Sequence, residues 1–367
     1  MLSRLENTPA LRWLGKQLFN REDPSAFFDP LLAAVNPMWV RQYVPAQVIA
    51  LRDETADTRT FVLKPAQRWA GFIAGQHVSI GVEIDGVRHQ RTFSLSSSPR
   101  QWRRDGTVTL TIKRFPGGLV TNWMHDHLKA GSVIGLGEAF GDFRLPETAR
   151  PLLYIAGGSG ITPVLSQLET LAAEGYEAPV KLLYFVRSQA DVIGADTLYA
   201  LRQSWPALDL TVVHTEAGAK PELLNAGHLA PVADLAERQC YLCGPKGLMD
   251  LAGALLRDAG VSEGQVHSTF FSVPKAALAG DDLGGEVSFS RSQTGVSSSG
   301  DTPLLEIAEA AKLSPRYGCR MGICHQCSCK KTSGTVVNRL TGKASGPGEE
   351  TIQLCISVPQ GPVTIDL

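Results

Sequence analysis

One loop constrains this chain more than any other feature. Tyr317-Gly-Cys-Arg-Met-Gly-Ile-Cys-His-Gln-Cys-Ser-Cys329 sets Cys319, Cys324 and Cys327 in a C-x4-C-x2-C spacing, with Cys355 further on. A short loop that delivers three thiolates, joined by a fourth from another segment, is the plant-type pattern that cages a 2Fe-2S cluster. Gly318 and Gly322 let backbone approach the inorganic sulfurs, and Cys355 follows the strand-like stretch Thr351 to Leu354. The competing reading is a zinc site using Cys329 or His325, since zinc takes thiolate and imidazole ligands. Structural zinc motifs usually pair one C-x2-C with a second, which favours the cluster and leaves Cys329 and His325 as bystanders.

The rest of the composition narrows the setting. Of 367 residues, 43% are hydrophobic and 19% charged, enough to bury a core over two or three domains. Lys+Arg 35 against Asp+Glu 36 leaves a net charge of -1, so no bulk basic field recruits nucleic acid. No apolar leader precedes Arg4 and Glu6, and the longest uncharged run, Pro151 to Leu168, is broken by glycines and Pro163. Seven cysteines without an export signal point to a reducing, cytoplasmic setting where cysteine clusters bind metal or do redox work.

Periodicity divides the chain into parts. In residues 1–42, Leu11, Leu14 and Leu18 recur at helical spacing beside Trp13, Phe19, Arg12 and Lys16, and Phe27, Phe28, Leu31, Leu32, Val35 and Trp39 follow. This arm reads either as a helix packed on the next domain, the favoured reading, or as a peripheral contact with a membrane. Residues 43–149 carry short β-branched runs (Thr60 to Leu63, His77 to Val82, Val108 to Lys113) and the turn dipeptides Asp85-Gly86 and Asp105-Gly106. Those signals predict an antiparallel β-barrel with one helix near Val120 to Leu128. From 150 to 273, buried-type strands (Leu152 to Ala156, Lys181 to Val186, Leu208 to His214, Gln239 to Leu242) alternate with helical stretches, predicting an α/β parallel sheet. Residues 274–284 read as a linker. Residues 285–367 read as a small α+β domain, with a strand at Glu286 to Ser290 and a helix at Leu304 to Ala311 entered by Asp301, Thr302 and Pro303.

Two loops sit at ends of the predicted parallel strands. Gly157-Gly-Ser-Gly-Ile-Thr-Pro163 joins strand to helix; Thr162 can cap that helix, and the glycines let a pyrophosphate approach backbone N–H groups at its positive end. Pro163 stands where G-x-G-x-x-G has its third glycine. Cys243-Gly-Pro245 ends another strand and opens on the same sheet edge. A Cys240/Cys243 redox pair competes with that reading. In the barrel, Arg91-Thr-Phe-Ser-Leu-Ser-Ser97 ends a strand, where an arginine can pair bidentately with phosphate. Lys113 and Gly117-Gly-Leu-Val-Thr121, ahead of a helix, offer a second anion site. Arg187-Ser188 lies where a nucleotide 2′-phosphate could be gripped, and favours NADPH over NADH.

Arg91-Thr-Phe-Ser, Gly157-Gly-Ser-Gly-Ile-Thr-Pro, Cys243-Gly-Pro and the cysteine loop, in that order, resemble the ferredoxin–NADP reductase superfamily in its form with a C-terminal 2Fe-2S ferredoxin domain. The resemblance implies a β-barrel FAD domain, a nucleotide domain and a β-grasp ferredoxin domain. It implies that Arg91, with Thr92, holds the FAD phosphates, that Gly118, Leu119, Val120 and Thr121 complete the pyrophosphate site, and that Ser94 sits near flavin N5. Phe93 stands where the family usually has tyrosine, so packing is kept and a hydroxyl is lost. Gly158, Gly160, Thr162, Cys243, Gly244 and Pro245 would hold the nicotinamide nucleotide, with Cys243 near the hydride-donating carbon; Phe271 or Phe270 would cover the flavin. Cys319, Cys324, Cys327 and Cys355 would hold the cluster.

Electron counting then gives a role. A nicotinamide gives two electrons as hydride, a cluster takes one at a time, and a flavin links the two. No haem or di-iron ligand pattern is legible, and His125-Asp-His127 reads as an exposed helix end, so electrons are expected to leave for another protein. The arm resembles that of reductases serving membrane acyl-lipid desaturases, which points to a non-haem iron desaturase or monooxygenase. The alternatives are a reductase for a soluble aromatic-ring oxygenase, or a redox sensor without turnover. Arg316, Arg320, Lys330, Lys331, Arg339 and Lys343 around the cluster loop predict an acceptor with an acidic docking surface.

Overall fold

The computed structural model describes residues 25–41, 43–218, 221–269, 271, 283–300, 302–317, 320, 322 and 325–367. The first sheet takes β1 (Val44–Thr55), β2 (Thr58–Pro65), β3 (His77–Ile84), β4 (Val87–Ser94), β5 (Val108–Lys113) and β6 (Val133–Phe140) in the order β4-β3-β6-β1-β2-β5, every pair antiparallel. An isolated bridge between Leu95 and Leu110 ties the two edges, closing the predicted barrel. Alternation decides its inside: Phe61 and Leu63, Val78 and Ile80, and Val108, Leu110 and Ile112 fill one core. Asp85 and Gly86, both at positive φ, make the β3–β4 hairpin turn.

Ahead of the barrel, α1 (Ser25–Val35) and a short turn at Pro37–Trp39 leave Leu31, Val35 and Trp39 exposed. The arm's apolar stripe is therefore not packed inward at these positions, and residues 1–24 lie outside the described ones. A second helix, α2 (Pro99–Asp105), occupies a stretch whose Asp105-Gly106 reads from sequence as a plain turn. Gly106 is in fact its left-handed cap, its N–H donating to the carbonyl of Trp102. The helix expected near Val120 is α3 (Leu119–His127).

The second sheet is wholly parallel: β7 (Leu152–Gly157), β8 (Val180–Val186), β9 (Leu208–His214), β10 (Gln239–Cys243) and β11 (Val266–Thr269), ordered β11-β10-β7-β8-β9. Helices α4 (Ile161–Ala173), α5 (Ala195–Ser204), α6 (Ala226–Leu229) and α7 (Lys246–Asp258) connect the strands. Successive residues of β7 feed opposite cores. Leu152, Tyr154 and Ala156 pack with Val164 and Leu168 of α4, whereas Leu153 and Ile155 pack with Leu242, Met249 and Leu256. Strand order reverses between β7 and β10, which opens a crevice at their carboxyl ends.

The third sheet is mixed: β12 (Gly284–Phe289), β13 (Thr294–Ser299), β14 (Ser328–Asn338), β15 (Glu350–Gln353) and β16 (Ser357–Ile365), ordered β13-β12-β16-β14-β15, with β12 and β16 parallel. Leu304, Leu305 and Ile307 of α8 (Leu304–Ala310) pack on Val287, Phe289, Val363 and Ile365. Pro303 occupies the cap of α8, and Asp301 lies outside the described residues. Three sheets thus carry the three predicted architectures in chain order.

Candidate cofactor sites

On β4 the side chains divide by register. Arg91 and Phe93 lie opposite Ile80 and Val78, on the barrel's apolar side, while Thr92 and Ser94 lie opposite Ser79 and His77. Phe93, partly buried, packs against the barrel core. The exposed Arg91 guanidinium donates to the carbonyl of Gln90 at 2.7 Å. Partial desolvation, and then the positive charge of Arg320 from the third domain, hold its pKa below the usual value. An anion between two such guanidiniums would relieve their repulsion. Thr92 Oγ1 and Ser79 Oγ are buried with no hydrogen-bond partner.

The turn before α3 also suits a phosphate. Gly117 has φ 72°, and a Cβ on Gly118 would stand 2.8 Å from Thr121 Oγ1 and 3.0 Å from the carbonyl of Phe115. Thr121 Oγ1 accepts the N–H of Phe115 at 3.2 Å. Val120 is a core residue and Leu119 is exposed, so at this helix end Val120 could offer a ligand its backbone but not its side chain. Phe115, exposed beside this turn, escaped the sequence reading; an aromatic ahead of Pro116-Gly117-Gly118 was its signal. Lys113 is engaged elsewhere, 3.2 Å from Asp57, and does not stand bare for a phosphate.

The two nucleotide loops touch. A Cβ on Gly160 would fall 2.1 Å from the carbonyl oxygen of Cys243, and one on Gly157 would meet Pro245 Cδ at 2.8 Å. Only glycine allows the turn after β7 to lie against the turn after β10. Gly158, at φ 51°, has its carbonyl held by Tyr184 Oη at 3.1 Å. Thr162 does not cap α4: the helix starts at Ile161 and the Thr162 hydroxyl donates to the carbonyl of Ser159.

Cys243 is fully buried, and burial pushes its thiol well above the usual range; burial also pushes the Cys240 thiol up, to about 12. The two sulfurs feed opposite cores, which removes the redox-pair reading. Arg187 pairs with Asp191 and lies 3.8 Å from Asp57, so carboxylates already surround it. Phe271 is half-exposed beyond β11, and Phe270 lies outside the described residues.

In the third domain, Cys327 and Cys355 converge from separate segments with their sulfurs 3.2 Å apart, both buried and not joined in a disulfide. Gly322 holds φ 76°, where a Cβ would meet Ile356 Cδ1 at 2.7 Å, and its carbonyl accepts from Gln353 Nε2 at 2.9 Å. Arg320 and His325 are also left-handed. Two buried thiols in contact, beside three described loop residues at positive φ, fit the ligand set of a caged cluster. Cys319 and Cys324 lie outside the described residues. Cys329 instead faces the carbonyl of Asp366 at 3.5 Å, as a bystander would.

The expected basic rim is mostly spent. Lys331 is fully buried, its Nζ donating to the carbonyls of Gly334, Gly346 and Gly348. Arg339 is buried, Lys330 pairs with Glu349, and Arg320 is clamped by Glu309 and stacked 4.1 Å over Tyr317. Among the described residues Arg316 and Lys343 remain exposed without an ion pair. His125 also departs from expectation: it is buried, its Nε2 2.8 Å from the carbonyl of Ile112.

Comparison with known proteins agrees with this layout. Residues 45–144 match the oxidoreductase FAD-binding domain, 154–253 the oxidoreductase NAD-binding domain, and 290–360 the 2Fe-2S iron-sulfur cluster binding domain. The chain belongs to the ferredoxin-reductase-type flavoproteins that carry a C-terminal 2Fe-2S ferredoxin domain. It is an NAD(P)H-dependent oxidoreductase of that type, with FAD and a 2Fe-2S cluster as cofactors. It is 34% identical to the NADPH oxidoreductase of Mycobacterium tuberculosis, over 92% of this chain and 88% of that one. It is 32% identical to the ferredoxin reductase component of 3-ketosteroid-9-alpha-monooxygenase from the same organism, over 79% and 85%. Its fold matches phthalate dioxygenase reductase, a modular structure for electron transfer from pyridine nucleotides to 2Fe-2S, with a TM-score of 0.65 and 22% identity, over 89% and 98%.

Proposed function

We propose that this chain is the reductase component of an oxygenase system, drawing electrons from NAD(P)H and delivering them singly to a separate oxygenase protein. The observation that carries the reading is the convergence of Cys327 and Cys355 in the same chain as two touching nucleotide loops. The names of a monooxygenase reductase component and a dioxygenase reductase among its likenesses support an oxygenase as acceptor. They favour it over the desaturase suggested by the arm. No helix among the described residues is long and apolar enough to cross a membrane.

FAD, when bound, takes the electron pair of a hydride and releases it one electron at a time. Around it, we assign Arg91 and the N–H groups at the start of α3, beside Gly118 and Thr121, to the cofactor phosphates. Phe93 and Phe271 would supply aromatic packing to the flavin when it is bound, and Thr92 and Ser94 would supply hydroxyls to it. Gly158, Gly160 and Gly244 leave room for the nicotinamide nucleotide, while Thr162, Cys243 and Pro245 fix the shape of the crevice. The buried, neutral Cys243 thiol acts there by packing. Cys319, Cys324, Cys327 and Cys355 ligate the cluster.

Two finer assignments follow. NADPH is the nucleotide, supported by the name of the 34% identical relative; Arg187 then has to exchange Asp191 for a 2′-phosphate. A steady-state comparison checks this, and a strong preference for NADH ends it. The docking surface of the acceptor is acidic and meets Arg316 and Lys343, so the coupled rate should fall as ionic strength rises, and a rate that falls little with salt counts against this assignment. The main reading is tested by removing residues 1–42 and following reoxidation of the NADPH-reduced cluster. A soluble oxygenase component should reoxidise both forms equally. A response confined to a membrane desaturase fraction, and lost on truncation, would reverse the assignment.

A further inference from the structure

Between the barrel and the parallel sheet lies a polar cavity of about 120 Å3, lined in part by Arg52, Glu54, Thr60, Glu169 and Gly194. Two carboxyls from opposite domains cross the boundary beside it. Glu54 belongs to β1, and its Oε1 accepts from Arg52 Nε at 2.8 Å and from Thr60 Oγ1 at 2.7 Å, which pins it to its own domain. Its Oε2 accepts the backbone N–H of Gly194, in the nucleotide domain, at 3.1 Å. Glu169 does the converse. It projects from α4 of the nucleotide domain, and its Oε2 accepts the N–H of Ser98, in the barrel domain, at 3.0 Å.

The captured amides are wired to the two cofactor segments. Ile193, next to Gly194, donates its N–H to Tyr184 Oη at 3.2 Å, and the Tyr184 hydroxyl donates to the carbonyl of Gly158 at 3.1 Å. Gly194 itself sits at φ 71° with Leu165 against its missing Cβ, so this backbone has little freedom to shift. On the other side, Ser98 follows the flavin segment, and the Ser166 hydroxyl of α4 donates to the carbonyl of Ser97 at 2.6 Å. Helix α4 starts directly after the glycine-rich turn. Each carboxyl therefore joins the nucleotide turn to the barrel by a short run of hydrogen bonds.

We propose that Glu54 and Glu169 are positioning residues for hydride transfer, reciprocal latches that hold the Gly157–Gly160 turn at a fixed separation from the flavin segment. Adjoining domains in one chain move relative to one another unless their interface prevents it. Transfer between bound partners needs reacting atoms about 3–3.5 Å apart, and an error of about 1 Å can cost two orders of magnitude in rate. The latches meet that requirement without touching the reacting atoms: the hydride carries its electron pair from nicotinamide to flavin, and neither carboxyl gains or loses a proton. The inference concerns the reductive half-reaction and is independent of which oxygenase accepts the electrons.

The test is anaerobic stopped-flow reduction of the flavin by NADPH and by NADH in the full-length holoprotein, without any acceptor, so that failure of the oxygenase reading leaves it intact. Glu54→Ala and Glu169→Ala should each lower the limiting rate at saturating nucleotide by roughly tenfold, with the nucleotide Kd changed less than about twofold. The nicotinamide–flavin charge-transfer absorbance should weaken in parallel. Glu54→Gln and Glu169→Gln, which keep an accepting oxygen, should restore the rate. An unchanged limiting rate in the alanine variants, or a loss confined to Kd, overturns the proposal. Should an alanine variant fail to retain FAD, Glu54→Asp decides: a slowed limiting rate supports the latch and an unchanged one refutes it.

Discussion

His77 lies across from Ser94 in the β3–β4 pair, its ring edge-on to Phe140 at a centroid distance of 4.4 Å. Burial, opposed only by the Asp142 carboxylate, lowers its pKa from 6.5 to about 4. Since the folded value lies below the unfolded one, the unfolded chain binds the extra proton first. Stability should therefore fall as pH drops from 6.5 toward 4 and level off below that, a loss of roughly 3 kcal/mol at most. Chemical denaturation across that range checks the sign, and His77→Phe should flatten the slope. Cysteine substitutions separate ligand from bystander at the same scale. Cys355→Ser should lose the visible absorption of the cluster, whereas Cys329→Ser, at a thiol facing Asp366, should keep it. Individual polar residues were the least legible part of the sequence. Lys331 and His125 belong to types that normally reach water, and only the chain segments folded over them make them internal.

At the scale of elements, the strands were legible because their side chains face defined surroundings. Leu208–His214 and Val108–Lys113 carry β-branched and apolar runs that match their observed bounds. Helix α2 was not legible, since Trp102 is followed by Arg103, Arg104 and a turn dipeptide that gives no apolar stripe. The contact between the loops after β7 and β10 follows from strand order, which no local pattern encodes. That contact makes Gly160 a sharp probe: Gly160→Ala drives a methyl into the carbonyl of Cys243 and should raise the KM for NAD(P)H at least about tenfold, while the cluster spectrum stays unchanged. Lys331 tests whether the third sheet's basic residues serve structure or docking. Lys331→Met strips donors from three carbonyls and should destabilise the ferredoxin domain by roughly 2 kcal/mol or more, leaving the salt dependence of electron delivery unaltered. A thermal melt that is unmoved contradicts that account.

Across the whole molecule, chain order was the most legible property: barrel, parallel sheet and mixed sheet appear in the sequence that the motifs demand. Less legible was how the domains meet. The Glu54 and Glu169 latches join residues far apart in the chain, and neither carries a motif. The Arg91–Arg320 proximity likewise depends on docking of the third domain. The central claim is that one polypeptide takes electrons in pairs from a nicotinamide and passes them singly to its own iron–sulfur centre. Its most direct test is an anaerobic titration of the purified holoprotein with NADPH, followed by visible absorption and electron paramagnetic resonance. The account predicts flavin bleaching accompanied by the signal of a reduced 2Fe-2S cluster. Flavin that bleaches while the cluster stays oxidised, or a colourless protein containing zinc, would contradict it.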